Sequence, residues 1–377
     1  MSIQPSRPLW IEIDTRALRE NYRAIKNHVG ADKKILALVK AEAYGHGALR
    51  VAKILEEEGV DYFGVAFLNE AIELREKGIK KPILILGWTP TEDFARALEY
   101  DFTLTIFDKD EAKLLNFMAE HKKRKITIHI KLDTGLSRLG FALHKQTLKD
   151  IAEIMEMENL CVEGIYSHFA KSDEKNKESS LLQLDRFNRF ILDLKKLTER
   201  EVPLKHMANS GAIIDLPESH LDMVRPGIIL YGGYPSDEVK KEKINLKPIL
   251  ELKARIARVE KQPRGTEVSY GGTYITERET VLATVPIGYE DGLNRALSNK
   301  GYILFRGVKL PIVGRVCMDQ CVVDAGRCPD IRKGDLVTII GSDDEGNLSA
   351  DEIAGMLGTI NYEVFCALSA RIPRYYL

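Results

Sequence analysis

The sequence predicts an α/β protein: a (β/α)8 TIM-like barrel over residues 1–240, followed by a mostly β domain over residues 241–377. Three observations carry this. From about residue 30, short apolar runs alternate with longer amphipathic ones, the βα rhythm of a parallel sheet. Eight such units fit into about 200 residues, which is the repeat number at which such a sheet closes on itself. After about Pro235, through the lysine-rich piece VKKEKINLK, the chain changes to β-branched runs punctuated by Gly and Pro.

Taken in order, the barrel strands are expected near Ile35 to Val39, Tyr62 to Phe67, Ile83 to Leu86, Phe102 to Ile106, Ile126 to Leu132, Val162 to Ser167, Leu204 to Ala208 and Met223 to Leu230. Polar caps announce the helices between them, such as Asn69 before EAIELREKG and Thr91 before EDFARALEY. The earlier run LWIEID, Leu9 to Asp14, precedes the barrel count and is suited to pair with the second domain. That domain is expected to carry strands at Ile249 to Val259, Val281 to Val285, Ile303 to Phe305, Arg315 to Val323 and Leu336 to Ile340. No internal repeat or low-complexity tract stands out beyond the βα alternation.

A net charge of -1, with 44% hydrophobic and 29% charged residues, is ordinary for an enzyme. It gives no reason to expect a nucleic acid or an anionic membrane as partner. The opening MSIQPSRPLW lacks an apolar core of signal-peptide length, and no later run approaches the roughly 18 apolar residues of a membrane span. A cytoplasmic location is the expectation. The five cysteines, Cys161, Cys317, Cys321, Cys328 and Cys366, are an odd number and read as reduced thiols. Cys317 and Cys321 form a lone CxxxC without a second ligand pair, so no metal is expected.

A barrel keeps its chemistry at the C-terminal ends of its strands. The unusual residues of this chain lie there. Lys40 and Tyr44 follow the first barrel strand in VKAEAYGHG, where Gly45 and Gly47 allow close backbone approach. An amine at the mouth of an apolar pocket loses hydration, which lowers its pKa and makes it a nucleophile toward carbonyls. Lys131 closes the fifth strand; in KITIHIKLD the isoleucines alternate with Lys125, Thr127, His129 and Lys131, so the polar set shares one face. Arg138 follows it. His168 follows the sixth strand, Asn209 and Ser210 the seventh, and Arg225, Gly227 and Ile228 interrupt the eighth.

The string around Lys40 resembles the lysine motif of alanine racemases. The resemblance extends over nearly the whole chain: KLDTGLSRLGF at 131–141, GIYSHFAKSDE at 164–174, HMANSGA at 206–212, VRPGIILYG at 224–232, VSYGGTY at 268–274, PIGYEDG at 286–292, PIVGRVCMDQ at 311–320 and TINYE at 359–363. Departures are small: Glu42 stands where Asn is usual, Leu136 where Met is common and Glu290 where Ala is common.

This resemblance implies interconversion of L- and D-alanine through an external aldimine of pyridoxal 5'-phosphate, whose ring is the electron sink for removal of the α-proton. It makes Lys40 the residue that carries the cofactor and the base on the D-face, and Tyr270 the base on the L-face. A free tyrosine, with a pKa of about 10, needs help to act near neutrality, which His168 would supply as a bridge between Tyr270 and Arg225. The phosphate falls to Tyr44, Ser210, Gly227, the Ile228 backbone and Tyr362, with Asn209 beside them. Arg225 faces the pyridine nitrogen and, unable to surrender a proton, leaves it unprotonated, which disfavours transamination. Arg138 contacts the cofactor phenolic oxygen and the substrate carboxylate, and Lys131 beside it is a site of carbamylation in many members. Tyr270, Tyr289, Tyr362, Met318 and Asp319 line the substrate pocket, with Asp173, Arg295 and Arg315 along the entryway. The resemblance also implies a head-to-tail homodimer with shared sites, and D-alanine destined for peptidoglycan. Alternatives are a broad-specificity racemase that accepts serine and a barrel-type pyridoxal-phosphate-dependent decarboxylase. The decarboxylases carry an acidic group where this chain has Arg225. A non-catalytic cofactor carrier resembles the barrel alone.

Overall fold

The structure is a computed structural model that describes residues 5–343 and 345–377. It divides into two compact units: one comprises Arg19–Ala43 and Ala48–Lys247, and the other the chain up to Leu18, Tyr44–Gly47 and Pro248–Leu377. The first strand, β1 (Leu9–Ile13), belongs to the second of these.

The larger unit is a parallel barrel of eight strands: β2 (Lys34–Leu38), β3 (Tyr62–Val65), β4 (Ile83–Ile85), β5 (Thr103–Ile106), β6 (Ile126–Asp133), β7 (Leu160–Tyr166), β8 (Leu204–His206) and β9 (Met223–Val224). They pair in the order β9-β2-β3-β4-β5-β6-β7-β8. The seam between β8 and β9 is closed by Asp222 N–H to the Lys205 carbonyl at 3.0 Å and Arg225 N–H to the Ala208 carbonyl at 2.9 Å. Helices on the outside bury apolar faces against the sheet. The helix Glu178–Thr198, for example, buries Leu184, Phe187, Phe190 and Leu194, each fully buried side chain contributing roughly 1.5–3 kcal/mol. The helix Lys109–His121 starts where Asp108 accepts the Asp110 and Glu111 amides on its side chain.

Three boundaries differ from the sequence expectation. The eighth strand stops at Val224, and Ile228–Tyr231 is a 3-10 turn; Pro226 has no N–H for a ladder, and Gly227 at φ -117°, ψ -99° leaves the extended region. The cap of helix Leu68–Glu76 is Phe67, with Asn69 inside the helix, because Glu70 reaches back to the Phe67 amide and fills the capping role. Thr91 opens a 3-10 turn, Thr91–Asp93, ahead of the helix Phe94–Glu99. In β6 the polar residues His129 and Lys131 do share one face, and that face is inside. Strands in a covered barrel are buried on both sides, so His129 and Lys131 are 0% and 5% exposed and point into the barrel.

In the other unit, β10 (Leu250–Arg255), β11 (Arg258–Gln262), β12 (Glu267–Val268), β13 (Tyr274–Ile275), β14 (Thr280–Val285), β15 (Tyr302–Phe305), β16 (Val308–Pro311), β17 (Cys321–Asp324), β18 (Leu336–Ser342), β19 (Asn347–Leu348) and β20 (Arg374–Tyr376) form three sheets. The largest runs β16-β15-β18-β10-β1-β20, with β19 paired to β18. Within it β1 lies antiparallel to β10, Ile11 opposite Leu252, and parallel to β20, Ile11 opposite Arg374. The run Ile249 to Val259 breaks into β10 and β11, which belong to different sheets. Of Arg315 to Val323 only the end is strand; Arg315–Gln320 is loop, tied down by Tyr289 N–H to the Cys317 carbonyl at 3.0 Å and Glu290 N–H to the Met318 carbonyl at 3.1 Å. Two short helices, Ala350–Leu357 and Asn361–Cys366, complete the unit.

Candidate active site

Lys40 follows β2 after the single residue Val39 and opens the turn Lys40–Gly45. The turn is left-handed: Ala41, Glu42, Ala43 and Tyr44 have φ between 51° and 55°. Such a conformation costs an L-residue roughly 1–2 kcal/mol, so bonds must hold it. One oxygen of Glu70 accepts the Ala41 amide at 2.7 Å, and the other accepts the Ala66 and Phe67 amides at 2.7 and 3.0 Å. Glu42 accepts the Ala48 amide at 3.1 Å. Glu42, itself at φ 55°, closes the turn with its side chain. At Gly45, φ is 82° and a Cβ would stand 2.2 Å from the Phe365 carbonyl oxygen, which excludes every other residue. Tyr44 is buried, its phenol pKa pushed up by burial, and its ring centroid lies 5.8 Å from that of Tyr362, tilted by 52°.

The strand ends of the barrel collect positive charge. Arg225 is 2% exposed, and burial lowers its pKa to about 10 without discharging it near neutrality. Its Nη1 donates to His206 at 2.9 Å; its Nη2 donates to the carbonyls of Ser167 and Met207 at 2.8 and 2.9 Å and to Nδ1 of His168 at 3.2 Å. Among the described residues these bonds engage one N–H of Nη1 and both of Nη2, and the Nε–H and the second Nη1–H are the donors they leave. Burial first, then the charges of Arg225, Lys131, Arg138 and Lys40, hold the His168 imidazole well below its ordinary pKa. That one imidazole feels all four cations places them in one neighbourhood. Lys131 lies 4.8 Å above the Tyr166 ring, and burial, then Arg225 and Arg138, lower its pKa to about 7.

Polar groups near β8 and β9 are organised beside these cations. Asn209 caps the helix Ser210–Asp215 by accepting the Ala212 amide at 3.1 Å, and the hydroxyl of Ser172 donates to it at 2.6 Å. The Gly227 amide donates to Ser210 Oγ at 3.0 Å, and Ile228 begins the next turn. Asp173 presents its carbonyl to the Ser236 hydroxyl at 2.6 Å.

In the β-rich unit the candidate substrate residues share one loop cluster. Tyr270 opens the turn Tyr270–Gly272 and is 71% exposed. Ser269 before it has φ 65° and ψ -172°, a conformation normally left to glycine, fixed by its hydroxyl on the Arg315 carbonyl at 2.6 Å. The Tyr289 turn packs on the Cys317–Met318 backbone so closely that a Cβ on Gly288 would stand 2.2 Å from the Met318 carbonyl oxygen. Asp319 accepts from Arg371 at 2.7 Å; Arg371 also donates to the fully buried Asp291 at 2.8 Å, which Arg7 holds from another side at 2.8 Å. Tyr289, Met318, Arg295 and Arg315 are exposed.

Several supporting residues escaped the sequence reading. Asp133 accepts the amides of Gly135, Leu136 and Ser137 at 2.9–3.1 Å and so shapes the loop that carries Arg138; burial opposes its ionisation, but those three donors hold its pKa down. Its Asp-Thr-Gly turn signal was readable. Tyr166, His206, Asp291, Arg371 and the bond of Glu70 to Ala41 depend on contacts distant in the chain, for which no local signal exists.

A lysine at the mouth of a parallel barrel, a locked arginine with donors left over, and cations with hydroxyl and amide donors suited to a phosphate are together the equipment of a barrel-type pyridoxal-phosphate-dependent enzyme. The family follows from comparison. Residues 13–235 match the alanine racemase N-terminal domain and residues 249–376 the alanine racemase C-terminal domain. An alanine racemase of Methanococcus maripaludis is 45% identical over 372 residues, 99% of each chain. The structure of an alanine racemase from Clostridium difficile 630 superposes with a TM-score of 0.94 at 42% identity, covering 99% of this chain and 97% of that one. An alanine racemase from Bartonella henselae, described with covalently bound pyridoxal phosphate, superposes with a TM-score of 0.88 at 30% identity over 99% and 100%. This chain belongs to the alanine racemase family, isomerases that interconvert the two enantiomers of alanine.

Proposed function

We propose that the protein racemises alanine with pyridoxal 5'-phosphate at the mouth of the barrel. The observation that carries the reading is Arg225, a buried guanidinium held through both terminal nitrogens with its Nε–H among the donors left over. A fixed donor that cannot be discharged suits a ring nitrogen that is to stay unprotonated. When bound, the cofactor supplies an electron sink for the pair left by the α-proton. Lys40 holds it covalently. Tyr44, Ser210, the Gly227 and Ile228 backbone and Tyr362 receive its phosphate, on a floor shaped by Asn209, and Arg138 meets its phenolic oxygen and the alanine carboxylate.

Lys40 on the D-face and Tyr270 on the L-face then exchange the α-proton, with His168 orienting the tyrosine phenol. Tyr289, Met318 and Asp319 close a pocket that admits a methyl side chain and resists larger ones. Lys131 carries a carbamate, since only the neutral amine attacks carbon dioxide and a pKa of about 7 makes that form abundant near neutrality. Tyr270, Tyr289 and Met318 are exposed in a single chain, which supports a homodimer in which a second copy's β-rich unit meets each barrel. The domain division is barrel to about residue 240 and β-rich domain beyond it, with the N-terminal strand β1 paired into the latter. Among the described residues no helix is long and apolar enough to cross a membrane, and we place the reaction in the cytoplasm, supplying D-alanine for peptidoglycan. A chiral assay of L-alanine with and without added pyridoxal phosphate tests the reading. Cofactor-dependent approach to equal L- and D-alanine is expected; carbon dioxide release from lysine or ornithine instead would overturn it.

A further inference from the structure

Beneath the strand-end cations, the barrel interior holds a line of polar side chains with no direct access to substrate. It begins at Arg225, whose Nη1 is 2.9 Å from Nδ1 of His206. Nε2 of His206 is 2.9 Å from Nδ1 of His129, and Nε2 of His129 is 3.3 Å from Glu163. Tyr62 donates its hydroxyl to the same Glu163 oxygen. Both histidines are 0% exposed, and the Tyr166 ring stacks on His206 at 4.6 Å and 7°. Residues from β3, β6, β7 and β8 are thus joined to the arginine behind β9.

The proton positions along this line follow from its two ends. A guanidinium has only donors, so Nδ1 of His206 must be a bare acceptor and its proton must sit on Nε2. That proton points at Nδ1 of His129, which must therefore also be bare, leaving the His129 proton on Nε2. There it meets Glu163, whose carboxylate only accepts. Neither histidine can take a second proton, because an imidazolium would set two donors face to face in one of these contacts. Burial lowers the pKa of both, with Arg225 adding to it, and the His129 contact keeps Glu163 ionised.

We infer that Glu163 is a positioning residue: as the acceptor that ends the line, it anchors His129 and, through it, the His206 ring whose bare Nδ1 holds the Arg225 guanidinium in place. The tautomer of a buried histidine is set by the partner of its other nitrogen, and Arg225 sets both of these. Without an acceptor at position 163, the buried Nε2–H of His129 has no partner, so the ring shifts and loosens its hold on His206 and that of His206 on Arg225. Glutamine at 163, with its carbonyl oxygen in the shared position, still accepts from both His129 and Tyr62 and keeps the line anchored. Leucine does not.

The functional consequence rests on the place given to Arg225 in the proposed function; the direction of the line does not. The test is 15N spectroscopy of imidazole-labelled protein, with and without pyridoxal phosphate, His129 and His206 being assigned from the signals lost in His129→Asn and His206→Asn. Wild type and Glu163→Gln should show both histidines neutral with the proton on Nε2. Glu163→Leu should shift the Nδ1 signals of His206 and His129 toward those of unbonded imidazole nitrogens, lower kcat by roughly tenfold or more, and leave the KM for alanine within about twofold. An imidazolium or an Nδ1–H form of either histidine in the wild type refutes the inference even if Glu163→Leu fails to fold. Unchanged Nδ1 signals in folded Glu163→Leu also refute it. Shifted signals with unchanged kcat uphold the line and count instead against the role of Arg225 at the cofactor.

Discussion

Replacing Lys131 by methionine should stabilise the cofactor-free protein in carbonate-free buffer, by an amount that depends on pH. Lys131 is 5% exposed, and burial, with Arg225 and Arg138 adding to it, lowers its pKa from 10.5 to about 7. The unfolded chain therefore binds a proton between about pH 7 and 10.5 that the folded chain rejects, so the native state is penalised increasingly as pH falls through that window and regains stability as pH rises. At about 1.4 kcal/mol per pH unit, the penalty approaches about 4 kcal/mol at pH 7 and falls by about 2 kcal/mol by pH 9. Methionine has similar length and no charge, so it removes the penalty with little change in packing. Denaturant titrations at pH 7, 8 and 9 measure it: the advantage of Lys131→Met should be largest at pH 7 and shrink at each step. Parallel stability curves for the two proteins would refute the reasoning, since they would mean that the amine is as well hydrated in the barrel as in the unfolded chain. Carbonate should narrow the gap at pH 7, because a carbamate replaces the badly placed cation with an anion between two arginines.

Borohydride treatment of the holoprotein, followed by peptide mapping, should fix the pyridoxyl label on Lys40, and a label on Lys131 would exclude Lys40 as the attachment point. Mixing Lys40→Ala with Tyr270→Ala protein under verified subunit exchange should recover roughly a quarter of wild-type activity if sites are shared between copies, since half the dimers are mixed and each repairs one of two sites; complete exchange with no recovery rules out sharing. Gly45→Ala should cost at least about 2 kcal/mol, because its Cβ would stand 2.2 Å from the Phe365 carbonyl oxygen at a φ of 82°; a melting temperature within a degree of wild type would mean that the turn relaxes freely. Shortening Tyr362 should raise the rate with serine relative to alanine, measured by chiral chromatography, and an unchanged ratio would remove it from the pocket wall.

The alternation of apolar runs was enough to read the barrel, because each strand and helix writes its period locally, and the residues at strand ends could be picked out for the same reason. The eight strand positions, Lys40 at the end of the first, and the change of register after Pro235 all lie in contiguous sequence. Strand ends were less legible where backbone conformation overrides side-chain pattern: Ile228 to Leu230 is as apolar as a strand, yet Pro226 and Gly227 turn it into a 3-10 segment. The direction of β6 shows the deeper limit. Its polar residues alternate as they would on a wet surface, and only closure of the sheet makes their side the inside, where His129 meets His206 across 77 positions of sequence. The same holds for Glu70 under the lysine turn and for Asp291 behind Arg371. A buried carboxylate and an exposed one look alike in sequence; the tertiary structure alone decides which becomes a clamp, because the cost of burying a charge is met only by partners that folding brings from elsewhere in the chain.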